Sequence, residues 1–89
     1  MWKKGGKYMA AGVREIDIHG LGVYQAKICL NAELKRARGD VYRIRVIHGY
    51  HGGTALRELV RKEIAANPRV LRWEAGINPG ETDLVLREY

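Results

Sequence analysis

The chain has 89 residues, and 16 Lys+Arg against 10 Asp+Glu give it a formal net charge of +6. A chain this short forms one small domain, and it has no apolar run of about 18 residues that could span a membrane. Its single cysteine, Cys29, cannot form an internal disulfide, which favours a reducing, cytoplasmic setting. The basic balance favours an anionic partner without identifying one.

Residues 1–13 are predicted to form a flexible basic arm, because glycines interrupt them and no apolar pattern organises them. The arm either clamps a phosphate backbone or is simply disordered. Its lysines are Lys3, Lys4 and Lys7. A single domain is predicted over residues 14–89.

The first half of this domain changes from strand to helix periodicity. Residues 14–19 alternate, with Ile16 and Ile18 on one side and Asp17 and His19 on the other, which predicts a strand with one buried face. After a break at 20–22, apolar residues at helical spacing predict a helix over 23–38. Its stripe is Val23, Ala26, Leu30, Leu34 and Ala37.

The second half repeats the change. Residues 41–47 are predicted to form a strand with Tyr42, Ile44 and Val46 facing inward. A glycine-rich loop at 48–53 and a helix capped by Thr54 follow it. Asn67 and Pro68 end this helix, and 70–75 and 82–87 are predicted to form a final hairpin.

The order β-α-β-α-β-β predicts a two-layer α/β sandwich: a mixed four-stranded sheet with two helices on one face. The other face is predicted to be open, and cross-strand charge pairing is the simplest account of its residues. They are Glu15, Asp17, Arg43 and Arg45.

Two strand–His-Gly–loop–helix junctions stand out. Because the carboxyl ends of parallel strands lie at one sheet edge, His19, His48 and His51 are expected to gather there. Gly80 to Asp83 return to the same edge if the third strand is parallel to the first two. Glycines before a helix can present backbone amides to an anion, and Arg57 adds a bidentate phosphate contact. The candidate loop glycines are Gly49, Gly52 and Gly53.

The histidines at this edge have three possible roles, two of them chemical and one structural. The predicted catalytic residues are Asp17, His19 and His48, which would orient and transfer protons in cleaving a phosphodiester, with His51 as a further acid. The same histidines could instead hold a divalent ion such as Mg²⁺ in an enzyme acting on a small phosphorylated ligand. In the third, His19 and His48 only close their strands by hydrogen bonds to nearby backbone.

Three segments carry a family resemblance: Ile-Asp-Ile-His-Gly at 16–20, Val-Ile-His-Gly at 46–49 with Gly-Thr-Ala-Leu-Arg at 53–57, and Gly-Glu-Thr-Asp-Leu-Val-Leu at 80–86. Together they resemble the Smr (small MutS-related) domain, over residues 14–88. The resemblance implies a fold similar to the C-terminal domain of bacterial translation initiation factor three. It also implies nicking of DNA, cleavage of RNA, or binding of branched or structured nucleic acid.

By position, Asp17 and His19 match the family's first motif, and His48 and Gly49 match the second. The loop departs from the family, which usually has Lys or Arg and then Gly where this chain has Tyr50 and His51. Tyr50 offers a stacking surface for an unpaired base and His51 a different acid. The leading hypothesis is an endonuclease-like domain, and the alternative is a non-catalytic binding module for branched or structured nucleic acid.

Overall fold

The computed structural model describes residues 6–49 and 54–88, with side chains from residue 11 onward. The elements in these ranges are β1 (Gly6–Ala10), β2 (Val13–Asp17), α1 (Val23–Arg36), β3 (Arg43–Ile47), α2 (Ala55–Glu58), β4 (Arg72–Ala75) and β5 (Glu81–Val85). The α2 helix continues as a π-helix over Leu59–Glu63 and a 3-10 helix over Ile64–Ala66. Residues 55–66 are therefore one helical segment whose hydrogen-bonding pattern changes twice.

The strands form one sheet in the order β1-β2-β3-β5-β4. β2 and β3 are parallel, and the other neighbouring pairs are antiparallel. The predicted mixed sheet and the four strands predicted for it are confirmed. β5, the last strand along the chain, lies between β3 and β4, so its amino end returns to the edge where β2 and β3 end.

The described sheet has one strand more than the four predicted. Gly6–Ala10 pairs antiparallel with β2 through a hairpin that turns at Ala11 and Gly12, so these residues form a strand and not the predicted flexible arm. The physical reason is that β2 otherwise leaves a row of backbone amides and carbonyls unpaired at the sheet edge.

The core lies between one face of the sheet and both helical segments. Ile16, Ile44 and Val46 are fully buried, which confirms the inward positions predicted for them. They pack with residues from the helices, namely Ala26, Leu30, Leu34, Leu59, Val60 and Ile64. Tyr42, also predicted to face inward, is only half-buried. The stripe predicted for the first helix is wrong at Val23, which is exposed. Ala37 packs against the core as predicted, although the helix already stops at Arg36 and not at residue 38.

The opposite face of the sheet carries cross-strand charge pairs, as predicted for Arg43 and Arg45, but with acidic partners on β4 and β5 that the prediction did not name. Arg43 contacts Asp83 at 2.7 Å and Glu74 at 3.0 Å, and Arg45 contacts Asp83 at 3.3 Å. Arg72 contacts Glu74 at 2.9 Å at the β4 edge. Each of these arginines is therefore neutralised by a neighbouring carboxylate. Neither helical segment within 6–49 and 54–88 has the length and apolarity needed to cross a bilayer.

Candidate functional site

A cleft of about 720 Å³ opens at the carboxyl ends of β2 and β3. Its walls come from the turn after β2, the residues after β3, the start of α2 and the tip of the β4–β5 hairpin. The two His-Gly turns meet here, since a Cβ built on Gly49 would lie 3.5 Å from the Cβ of His19. His19 and His48 both line the cleft, so the predicted convergence at one sheet edge is confirmed for these two residues.

Gly20 and Gly49 give the two turns the same backbone conformation. Their φ angles are +80° and +77°, in the left-handed region that a side chain disfavours. Each glycine directly follows a histidine that lines the cleft. The repeated His-Gly motif is therefore a repeated structural junction.

Asp17 and His19 form a pair at the exposed rim of this cleft. Asp17 Oδ1 accepts hydrogen bonds from the His19 backbone N–H, at 3.0 Å, and from His19 Nδ1. The side chain of His19 is 60% exposed and that of Asp17 is 40% exposed. Because Asp17 holds Nδ1, the His19 Nε2 atom is left to face the cleft or solvent, and no described residue bonds it.

His48 has the opposite environment, with only 5% of its surface exposed. Its Nδ1 lies 2.8 Å from the Gly49 carbonyl oxygen, and its Nε2 lies 2.8 Å from Thr82 Oγ1 on β5. Thr82 Oγ1 also accepts a hydrogen bond from Arg61 Nε at 2.9 Å. Both nitrogens of His48 are thus used within the protein.

These contacts define the protonation of His48. The Gly49 carbonyl can only accept, so Nδ1 carries the proton, and the Thr82 hydroxyl donates to Nε2 while accepting from Arg61. Burial lowers the pKa of His48 below its ordinary 6.5, and the charges of Arg61 and Arg57 lower it further. The geometry and the electrostatics both favour a neutral imidazole.

The backbone after β3 is also tied to the hairpin tip. The Gly80 carbonyl accepts from the amides of His48, at 2.9 Å, and Gly49, at 3.0 Å. The Gly49 amide, predicted to bind phosphate, is therefore already occupied. Glu81 lines the same wall, where its carboxylate accepts from Asn78 at 3.3 Å and lies 3.9 Å from Arg45.

Two arginines on the second helical segment act on this wall, because their charges lower the pKa of His48. Arg57, predicted from the sequence, is half-buried and has no carboxylate partner among the described residues. Arg61 was not predicted; its guanidinium carbon lies 4.3 Å from the centroid of the Trp73 ring. The sequence shows that Arg61 lies one helical turn after Arg57, which places both on the same side of the helix. The bond from Arg61 to Thr82 could not be predicted, because it depends on the position of β5.

Thr54 occupies the position before α2, but its side chain makes no capping hydrogen bond; its carbonyl accepts from the Glu58 amide at 2.8 Å. Several predicted site residues lie outside the described ranges. They are Lys3, Lys4, Tyr50, His51, Gly52 and Gly53. Lys7 is described only as backbone of β1.

The described residues contain no group of three or more His, Cys, Asp and Glu that could hold a metal ion. Within this part of the chain, His48 is poorly suited as a ligand, since either nitrogen would have to give up its present hydrogen bond. Asp17 and His19 alone provide too few protein ligands for a closed site. No step that passes through a metal ion is derived for these residues.

Comparison with known proteins identifies a relationship. The sequence model of the Smr domain matches residues 16–82. Among solved structures, the chain is similar to the Smr domain of Thermus thermophilus MutS2, with 29% sequence identity and a TM-score of 0.74. That similarity covers 83% of this chain and 98% of the other. The comparison with curated proteins gives no match.

Proposed function

Because the chain belongs to the Smr domain family, which is associated with nucleic acids, we propose that it cleaves phosphodiester bonds in DNA or structured RNA. The observation that supports cleavage is the Asp17–His19 pair at the rim of the cleft. An imidazole held at Nδ1 by a carboxylate, with Nε2 facing outward, is arranged as a general base.

In the proposed reaction, Asp17 fixes the His19 tautomer that carries the proton on Nδ1. His19 Nε2 then accepts a proton from the nucleophile, which is a 2′-hydroxyl in RNA or a water molecule in DNA. The nucleophile's oxygen forms a bond to phosphorus and the bond to the leaving oxygen breaks. A second group must protonate that oxygen, and His51 remains the proposed acid.

Substrate phosphate is proposed to bind Arg57 together with the amides of Gly52 and Gly53. The contribution of Arg57 is supported by its place next to Leu56, which lines the cleft, and by its lack of a carboxylate partner in the described structure. Tyr50 and the arm lysines are proposed to add stacking and general attraction to the backbone. These contacts recognise the phosphates and the shape of the nucleic-acid backbone, so they discriminate little between base sequences.

For His48 the geometry supports a positioning role. Its neutral ring links the turn at Gly49 to Thr82 on β5, so it fixes the cleft wall opposite His19. We therefore place His19 in the proton transfer and His48 in the support of the cleft.

The test is a cleavage assay with duplex, branched and single-stranded DNA and with structured RNA, in Mg²⁺ and in EDTA. Wild-type protein should give product from at least one substrate, and His19→Ala should not, while a gel shift of the same samples retains binding. Product from His19→Ala at the wild-type rate would remove His19 from the mechanism. The EDTA samples show whether a divalent ion is needed.

One observation favours a second function, a non-catalytic module that binds branched or structured nucleic acid. His48 has both nitrogens engaged, so the described residues offer one outward-facing imidazole, whereas acid–base cleavage needs two proton-transfer groups. A binding module predicts a steep loss of affinity with salt and no product under any condition. The same assay and gel shift separate the two functions.

A further inference from the structure

Arg61 is held in a fixed orientation by two different contacts. Its Nε donates to Thr82 Oγ1 at 2.9 Å, and its guanidinium carbon lies 4.3 Å from the centroid of the Trp73 ring. Stacking on the indole restrains the plane of the guanidinium, and the Nε bond restrains its rotation within that plane. The two Nη groups make no hydrogen bond to a described residue, so they are available as paired donors.

Arg61 forms no ion pair with a described residue, although the charge of Glu58 acts on it from a distance. Glu58, the nearest acidic residue along the helical segment, pairs with Lys62 at 2.8 Å. Arg57 lies one turn before Arg61, and its charge, after burial, lowers the pKa of Arg61. Two arginines that repel each other gain stability when an anion binds between or beside them.

The position of Arg61 connects it to the cleft. Thr82 Oγ1 joins Arg61 to His48, and His48 lines the cleft wall. The charges of Arg61 and Arg57 both reach His48 strongly enough to lower its pKa. Arg61 does not line the cleft itself, and it is joined to the cleft wall through Thr82 and His48.

We propose that Arg61, supported by Trp73, forms a second phosphodiester-binding subsite that contacts the nucleic-acid backbone next to the phosphate at the cleft. The guanidinium presents two parallel donors to phosphate oxygens, a geometry that an ammonium group does not provide. Trp73 acts as a positioning residue that keeps the guanidinium flat. This inference rests on the proposed nucleic-acid function and extends it to a backbone track along the second helical segment.

The test measures binding of a short single-stranded oligonucleotide over a range of salt concentrations. Arg61→Gln should lower affinity by about tenfold and reduce the salt dependence by about one phosphate contact. Arg38→Gln is the matched control; Arg38 is exposed after α1, at the sheet edge opposite the cleft, and this variant should keep the wild-type salt dependence.

Trp73 is tested by conservative rescue. Trp73→Leu should lower affinity because the guanidinium loses its stacking surface, and Trp73→Phe should restore most of it. Circular dichroism and thermal melting confirm that each variant is folded. Oligonucleotides with one neutral methylphosphonate linkage locate the contact, because wild-type protein should lose affinity at one position where Arg61→Gln shows no further loss.

If wild-type protein binds and Arg61→Gln behaves as Arg38→Gln does, the subsite is wrong and the proposed function stands. If no nucleic acid binds wild-type protein under any salt condition, both proposals are wrong. Loss of binding in Arg61→Gln with unchanged salt dependence and no methylphosphonate coupling would also overturn the subsite, because the side chain would then act through the fold.

Discussion

The two His-Gly turns begin from nearly the same sequence and the same backbone conformation, yet their histidines have opposite environments. His19 is largely exposed and hydrogen-bonded to Asp17, whereas His48 is almost fully buried and bonded to Thr82. The difference comes from the strands that precede them. β3 pairs with β5, whose Thr82 bonds His48, whereas among the described residues β2 pairs on its other side with β1, whose backbone makes no hydrogen bond to His19.

The same short motif therefore provides a histidine suited to proton transfer in one place and a histidine that stabilises the fold in the other. An exposed imidazole with one nitrogen fixed can exchange protons with substrate, whereas a buried imidazole with both nitrogens bonded stabilises the neighbouring backbone. The motif therefore specifies the turn, and the position of the strand in the sheet specifies what its histidine does.

The largest expected effect is on cleavage by His19→Ala. Removing the proposed general base should lower the cleavage rate by about 10²–10⁴-fold, while the melting temperature stays close to wild type because the side chain is exposed. Single-turnover cleavage with matched thermal melts tests this. A large fall in melting temperature would show that the two histidines do not differ as described.

His48→Ala should act mainly on stability. The substitution leaves the buried Thr82 hydroxyl without its acceptor and opens a space beside Gly49, so the free energy of unfolding should fall by about 2–3 kcal/mol. Urea denaturation measures it, with His19→Ala as the matched control. Equal stability of the two variants would contradict the supporting role of His48.

Asp17→Asn should lower cleavage less than His19→Ala does. The Asn amide can present a donor where the carboxylate accepts, which disfavours the His19 tautomer with a proton on Nδ1. The expected loss is roughly 10- to 100-fold, because Asp17 is partly exposed and solvent can replace some of its contribution. If Asp17→Asn cleaves at the wild-type rate while His19→Ala does not cleave, Asp17 does not assist His19 in the reaction.

Thr82→Val keeps the shape of the side chain and removes the hydroxyl that bonds His48 and Arg61. We expect a loss of about 1 kcal/mol in the free energy of unfolding, together with weaker nucleic-acid binding through Arg61. Thr82→Ser retains the hydroxyl and should bind nucleic acid as wild type does, although it loses a buried methyl group and some stability with it. If the Ser and Val variants bind alike, the hydroxyl does not act on binding through Arg61.

The smallest expected effect is the pH dependence of stability. The folded-state pKa of His48 lies below its ordinary 6.5, so the unfolded chain binds this proton first as pH falls. His48 therefore contributes its full stability above about pH 6.5, and this contribution is lost as pH falls from there toward the lower folded-state pKa. The slope should not exceed about 1.4 kcal/mol per pH unit.

The measurement compares His19→Ala with the double variant that also carries His48→Ala, so that His19 contributes to neither curve. Denaturation at several pH values between about 5 and 8 should show a steeper fall in the single variant. Parallel curves would mean that His48 titrates alike in the folded and unfolded chains.

Much of the architecture could be predicted because it follows from local periodicity. The alternation around Ile16 and Ile44 specifies strands with one buried face, and the spacing of Leu30 and Leu34 specifies the first helix. The strand at Gly6–Ala10 could not be predicted in this way, because its pairing depends on the unpaired edge of β2. Glu33 breaks the apolar pattern and is nevertheless buried, since Arg14 of β2 bonds it from across the core.

The sequence predicted that the two His-Gly turns lie close together, but it did not predict the contacts that their side chains make. Parallel strands bring His19 and His48 to one edge whatever their neighbours are. The burial of His48 and the bond from Arg61 to Thr82 both depend on β5 inserting beside β3, a long-range pairing that no sequence window contains. The occupied Gly49 amide has the same origin, because its acceptor is the carbonyl of Gly80.

The insertion of β5 has a consequence for the order of assembly. β3 and β4 are joined only through this strand, and β5 follows every other described element along the chain. During synthesis, β2, α1 and β3 can associate early, but β4 has no partner in the sheet until residues 81–85 emerge. The hydrogen bond from Thr82 to His48 needs the same pairing, so the supporting wall of the cleft depends on the strand that is synthesised after β4.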